Sequence, residues 1–208
     1  MNCWQCQAPY GQAEWQCGQC GALLPPNRAR THFDVLGQPP SFRIDLDELA
    51  RSLRTLQRRF HPDRHAHRSD TERRFSLEHA TALNDAHRVL SDPLRRAEYM
   101  IQLGGVDLSD EARQVKLPPF FLMEMMELRE ALDELTGADN HVERGRIERD
   151  VAARYEASLE AIAVGLEDTE TPLVDVAQSA AKLKYLKRIL DDINELSHST
   201  ADEGRGHI

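Results

Sequence analysis

Long apolar runs are missing from this chain. No stretch of its 208 residues approaches the roughly 20 residues that a membrane-spanning helix needs. Basic residues are in the minority, 26 Lys and Arg against 35 Asp and Glu, a net charge of −9. That balance argues against general nucleic-acid binding and leaves room only for a local basic patch. Neither a phosphate loop nor a nucleophile elbow occurs, so an enzyme reading lacks its usual sequence support. The start, Met1-Asn2-Cys3-Trp4, has none of the charged and apolar regions of a signal peptide. Strand-like alternation is scarce. Cysteine stops at position 20. The expectation is a soluble, cytoplasmic, mostly helical protein of one or two domains.

All the cysteines lie in two Cys-x-x-Cys pairs, Cys3/Cys6 and Cys17/Cys20. Two such pairs can supply four thiolates at tetrahedral geometry, which suits a structural Zn²⁺. A single pair would read as a redox motif; two of them favour metal. Iron also fits a four-thiolate site. Gly18 and Gly21 let the backbone turn tightly there. A segment this short buries little core, so a metal would supply its folding energy. All four sulfurs are committed as ligands, which leaves no open position for catalysis. Leu23-Leu24-Pro25-Pro26-Asn27 then reads as a punctuated linker.

Further on, Leu46, Leu49, Leu53, Leu56 and Phe60 recur at spacings of 3 and 4, one face of a helix. Arg51, Arg54 and Arg58 fall roughly opposite. Asp45 is its cap. Pro62 cannot continue the helix and pushes His61 out of the α region, so His61-Pro62-Asp63 opens a loop. Residues 66–74, polar and charged, read as an exposed loop into the next helix, with Ser69, Asp70 or Thr71 as its cap. That helix buries Phe75, His79, Ala82, Leu83, Ala86 and Leu90. The two helices form an antiparallel hairpin. Pro93 separates a further helix, and Gly104-Gly105 ends the region.

Three helices are expected beyond it, at about 119–136, 141–165 and 172–196. Ile147, Val151, Tyr155, Leu159, Ile162 and Leu166 line the second. Val176, Ala180, Leu183, Leu186, Leu190 and Ile193 line the third. Such stripes need partners, and a three-helix bundle is the economical solution. The first helix has more apolar residues than one face requires. Phe121, Met125, Leu128, Leu132 and Leu135 make the core stripe, while Leu122, Met123 and Met126 lie well off it. Either they widen the core or they form an exposed binding patch. Tyr185 is likewise off the stripe of the last helix.

Three runs resemble the J-domain, a module that stimulates heat-shock seventy-class chaperones. They are His61-Pro62-Asp63 after an arginine-bearing helix, Asn84-Asp85-Ala86-His87-Arg88-Val89-Leu90, and Ser91-Asp92-Pro93-Leu94-Arg95-Arg96-Ala97-Glu98-Tyr99. His87 stands where most members have Tyr. His32-Phe33-Asp34-Val35-Leu36-Gly37 looks like the short first helix of such a domain. Beyond it, the run from Phe121 to Glu134 and Lys182-Leu183-Lys184-Tyr185-Leu186 resemble HscB, the J-type co-chaperone family of iron–sulfur cluster assembly. Some HscB-like proteins also carry a four-cysteine start.

That resemblance implies an all-α fold: a J-domain hairpin plus a C-terminal three-helix bundle, preceded by a four-cysteine metal knuckle. The boundaries are 1–27, 31–104 and 115–196, with 197–208 a disordered tail. It implies no enzymatic activity of the chain itself. His61, Pro62, Asp63, Arg51, Arg54 and Arg58 would engage an HscA-type chaperone. Leu122, Met123, Met126, Glu127, Glu130 and Tyr185 would bind the cluster scaffold protein IscU. The cofactor is structural Zn²⁺ on Cys3, Cys6, Cys17 and Cys20, and neither nucleic acid nor membrane is a partner. The rival is a general J-protein for unfolded clients, whose Gly/Phe-rich linker and repeated cysteine array are absent here. A second rival, a hydrolase using His61 and Asp63 as an acid–base pair, has no supporting motif.

Overall fold

The computed structural model describes residues 1–106, 108, 116–135 and 141–203. Among these the chain is all-α, with isolated bridge pairs as its only β-type pairing. It divides into two compact units, 1–96 and 97–208.

The helical part of the first unit is a hairpin with a short helix laid across it. Asp45 starts α2 (Leu46–Phe60) by accepting from the N–H groups of Asp47 and Glu48, a favourable charge at a helix N-terminus. His61, extended at φ −61° and ψ 129°, ends it. α3 (Asp70–Ser91) is capped by Ser69, whose hydroxyl accepts from the Glu72 N–H. Ser76 Oγ donates to the Phe60 carbonyl at 2.8 Å, and Gln57 Nε2 donates to Asn84 Oδ1 at 2.8 Å. One register falls as the other rises, so the hairpin is antiparallel. α1 (His32–Leu36), closed by a capping box between Thr31 and Asp34, packs on both helices. Phe33, Leu36, Leu49, Phe60, Leu83, Ala86 and Leu90 are fully buried, each large side chain contributing about 1.5–3 kcal/mol.

Three expectations here need correction. Leu46, counted on the apolar face, is exposed; it is the first residue of α2, and the buried face starts at Leu49. The loop expected over 66–74 is shorter, because the Ser69 cap turns the chain helical from Asp70. The largest difference is at Leu23-Leu24, which is no linker. Both side chains are buried. Leu23 N–H donates to Glu72 Oε1 at 3.2 Å, and the Leu24 carbonyl bonds His79 Nε2 at 2.8 Å. The cysteine segment is therefore docked on α3, which supplies partners for backbone groups a free linker would leave to water.

α4 (Pro93–Leu103) crosses the division between the units, its proline at the first helical position where no N–H is needed. In the second unit α5 (Pro119–Glu134), α6 (His141–Glu167) and α7 (Leu173–Glu203) make the bundle. Phe121, Met125 and Leu132 from α5, Ile147 and Val151 from α6, and Leu186, Ile189 and Ile193 from α7 share one core cluster. Ile162, Ala163, Val176, Ala177, Ala180 and Leu183 are also buried, on α6 and α7. Gly165 is required there: a Cβ would sit 2.8 Å from Val176 Cγ2, so only glycine lets the two helices approach so closely. α7 runs to Glu203, through much of the expected tail; no Gly or Pro interrupts it before Gly204. Residues 204–208 lie outside the described residues.

Candidate functional site

The cysteine segment folds as two near-equivalent turns. In the first, Cys3 N–H donates to the Ala8 carbonyl and Gln7 N–H to the Cys3 carbonyl. In the second, Cys17 N–H donates to the Ala22 carbonyl and Gly21 N–H to the Cys17 carbonyl. The residue after each pair takes a positive φ, Gln7 at 61° and Gly21 at 69°. Only the second is the glycine that conformation favours. The repeat brings all four sulfurs within 4.8 Å of one another, with Cys3–Cys20 at 3.7 Å and Cys6–Cys17 at 3.5 Å. A tetrahedral ion with metal–sulfur bonds of about 2.3 Å needs sulfurs about 3.8 Å apart. The donor set and spacing fit a closed metal site.

The electrostatics agree. The Cys17 thiol is lowered to about 7, chiefly by the backbone N–H groups of Cys20 and Gln19. Cys20 moves the other way, to about 12: the Ala22 N–H favours its thiolate, but burial and the neighbouring sulfurs outweigh it. Four anionic sulfurs cannot share this space without a cation to hold them.

The second candidate site is the turn after α2. Pro62–His65 form one 3₁₀ turn, tighter than a loop, with His61 as its cap. His61 Nδ1 accepts from the Asp63 N–H at 3.3 Å, which puts the ring proton on the exposed Nε2. The last three carbonyls of α2 are taken. Arg64 Nη1 reaches Arg58, His65 Nε2 reaches Arg59, and Ser76 Oγ reaches Phe60. An open depression of about 760 Å³ is lined by Arg54, Gln57, Arg58, His61 and Arg64. The structure thus gathers Arg54, Arg58 and His61. Arg51 lines a different depression, alongside Asp34 and Glu48. Arg64 is the group that sequence reasoning missed; its only signal was a place next to Asp63.

On α5, Phe121, Met125 and Leu132 face inward while Leu122 (36% exposed), Met123 (61%) and Met126 (63%) face out. Glu127 and Glu130 are exposed as well. Tyr185 on α7, 45% exposed, sets its ring edge-on to Phe121 at 6.3 Å, against the first turns of α5. Phe120, 69% exposed, adds a further large apolar side chain. It was missed because Phe121 alone satisfied the stripe. Arg154 on α6 bonds Glu124 at 2.6 Å and Asp150 at 3.0 Å, and Arg129 meets Asp192 at 3.1 Å. The Glu124 and Asp192 pairs tie α5 to α6 and to α7, each worth about 1 kcal/mol or less.

Among the described residues, His79 is the one buried histidine. It stacks on Phe60 at 4.6 Å, with Trp15 at 5.0 Å. Burial pushes it down from 6.5 to about 4, against the pull of the Leu24 carbonyl; Arg30, His65 and Arg59 lower it further. The unfolded chain binds this proton more readily than the folded one. His79 therefore withdraws no stability above pH 6.5 and withdraws it progressively as pH falls towards 4. The expected loss is about 3 kcal/mol at about 1.36 kcal/mol per pH unit. Thermal melts of the wild type and His79→Phe across that range should diverge, the wild type losing more. Parallel curves would mean that His79 is not held neutral.

An arginine-lined helix, an exposed His-Pro-Asp turn and an antiparallel partner helix define a J-domain protein. The DnaJ domain model matches residues 31–99, and the HSCB C-terminal oligomerisation domain model matches 117–194. A co-chaperone HscB homolog of Vibrio vulnificus is 36% identical over 163 residues, covering 78% of this chain and 94% of that protein. The human iron-sulfur cluster co-chaperone HscB is 31% identical, over 92% of this chain and 80% of its own length. Among solved structures, human HscB superposes with a TM-score of 0.82 at 30% identity, covering 93% of this chain and 97% of that one. HscB from Vibrio cholerae gives 0.74 at 31%, covering 82% and 99%. The chain belongs to the HscB family of J-domain co-chaperones.

Proposed function

We propose that this chain stimulates the ATPase of a dedicated HscA-type heat-shock seventy chaperone and brings to it the scaffold protein IscU. Its role is that of a co-chaperone in iron–sulfur cluster assembly, and its proposed place is the cytoplasm. The observation that carries this reading is the pairing of two exposed surfaces on separate units. One is the His61-Pro62-Asp63 turn beside Arg54 and Arg58. The other is the apolar patch of Leu122, Met123 and Met126.

In this reading residues 31–104 are the J-domain. Asp63 pairs with a chaperone arginine, His61 donates from Nε2, and Arg51, Arg54 and Arg58 steer the helix to an acidic surface. No catalytic group comes from this chain; binding biases the conformations of the chaperone. Residues 115–196 hold the scaffold. Leu122, Met123, Met126 and Tyr185 supply apolar area, and Glu127 and Glu130 charge at its rim. Both partners meet at raised effective concentration. The test is a pair of titrations with purified chaperone and scaffold. Each should bind without competing with the other, and mutual exclusion would overturn the reading.

Residues 1–27 would hold one Zn²⁺ on Cys3, Cys6, Cys17 and Cys20, whose part is structural. Freshly prepared reduced protein should contain about one zinc per chain. Cys3→Ser/Cys17→Ser should lose it while 31–96 stays helical by circular dichroism. Metal analysis with no stoichiometric metal would remove the site. A visible charge-transfer band with iron would replace zinc.

A further inference from the structure

We propose that the four-cysteine module positions the His61-Pro62-Asp63 turn, acting through Trp15, so that metal loading at one end sets the order of the turn at the other. Where it concerns chaperone stimulation, the proposal rests on the reading given above.

The path is short and continuous. Cys17 is a metal ligand candidate, and Gln16, the residue before it, bridges to Leu23. The Trp15 carbonyl accepts from the Leu24 N–H at 2.9 Å. The Trp15 ring lies 4.9 Å from the Phe60 ring and 5.0 Å from His79, and Arg30 covers its outer face at 4.3 Å. Phe60 is the last residue of α2, bonded directly to His61. Arg59, one residue earlier, donates to Gln16 Oε1 at 3.4 Å, and its carbonyl holds His65 across the turn. The turn therefore hangs from a helix end that the module grips on its ring and its guanidinium.

The turn's other holds are its own bonds to the end of α2 and its packing on α3. Pro62, Asp63 and Arg64 are all exposed, and its internal bonds are of the local kind that open easily. α3 supports it through Ser76 on the Phe60 carbonyl. The segment that grips the other side buries a small core of its own, Cys3, Cys17, Ala22 and Leu24. Without an ion no metal–sulfur bonds join the two cysteine turns, and a core of that size does not fold alone. Losing the metal therefore releases Trp15, and releasing Trp15 frees the end of α2.

Amide hydrogen exchange on the full zinc-loaded chain tests this, comparing wild type with Trp15→Ala and Trp15→Phe. Trp15→Ala should keep its metal, yet exchange over 60–66 should speed about tenfold while 83–90 in α3 stays within about twofold. Trp15→Phe should restore most of the protection, which a generally weakened core would not show. Zinc removal from the wild type by a chelator should loosen the same peptides, a check that needs no variant to fold. Chaperone titrations should need about fivefold more Trp15→Ala for half-maximal stimulation, with the maximum unchanged. Unchanged exchange over 60–66 in metal-bound Trp15→Ala, or after zinc removal, overturns the proposal. A loosened turn in a chain whose wild type never stimulates the chaperone would overturn the functional reading and leave the coupling standing.

Discussion

His61→Gln should abolish stimulation of the chaperone ATPase and leave both the fold and scaffold binding as they are. His61 is exposed; its Nδ1 accepts from the Asp63 N–H and lies 3.6 Å from Asp63 Oδ2. A Gln side-chain oxygen can accept the same N–H, so the turn keeps its shape and stability changes by about 0.5 kcal/mol or less. What is lost is the ring-held Nε2–H of the proposed chaperone contact, since the flexible Gln amide does not keep a donor at that position. A surface loop residue of this kind contributes to binding far more than to stability. Steady-state turnover with saturating variant should fall to the unstimulated rate. Full stimulation by a folded His61→Gln protein would remove the turn from the interface.

Leu122→Ala, Met123→Ala and Met126→Ala together should weaken scaffold binding at least about 30-fold, the cost of losing one strong anchor or several weaker ones. The bundle should stay folded. Phe121, Met125 and Leu132 fill the core side of α5, and none of the three truncated side chains is buried. A buried trio would cost about 2–5 kcal/mol per residue and unfold the bundle; this one should cost about 1–2 kcal/mol in all. Melts and titrations on one preparation therefore separate the possibilities. A collapsed melting temperature would make the patch core. An unchanged melt with unchanged affinity would send the search to another face, beginning with Phe120.

The helices were legible because periodicity and caps are local. Asp45 and Ser69 mark two starts, Pro62 marks a stop, and the stripe through Phe121, Met125 and Leu132 marks an inward face. The same stripe marks what does not belong to it, so Met123 and Met126 stand out from the sequence and are exposed in the structure. The sites that escaped depend on contacts far apart in the chain. His79 meets the Leu24 carbonyl across 55 positions, and Leu23 meets Glu72 across 49. Nothing local distinguishes Leu23-Leu24 before two prolines from a linker. Trp15 carried no periodic signal at all, although it joins the metal segment to the end of α2. Leu46 misled in the opposite sense: its spacing is right, but it sits one turn before the helix meets α3.

The central claim is that one chain joins a chaperone-stimulating turn to a scaffold-binding patch. The most direct measurement is steady-state ATP turnover by the purified chaperone with this chain alone, with the scaffold alone, and with both. The account predicts that the chain alone stimulates, that the scaffold alone does little, and that both together exceed the sum. Turnover with both no higher than with the chain alone would contradict it.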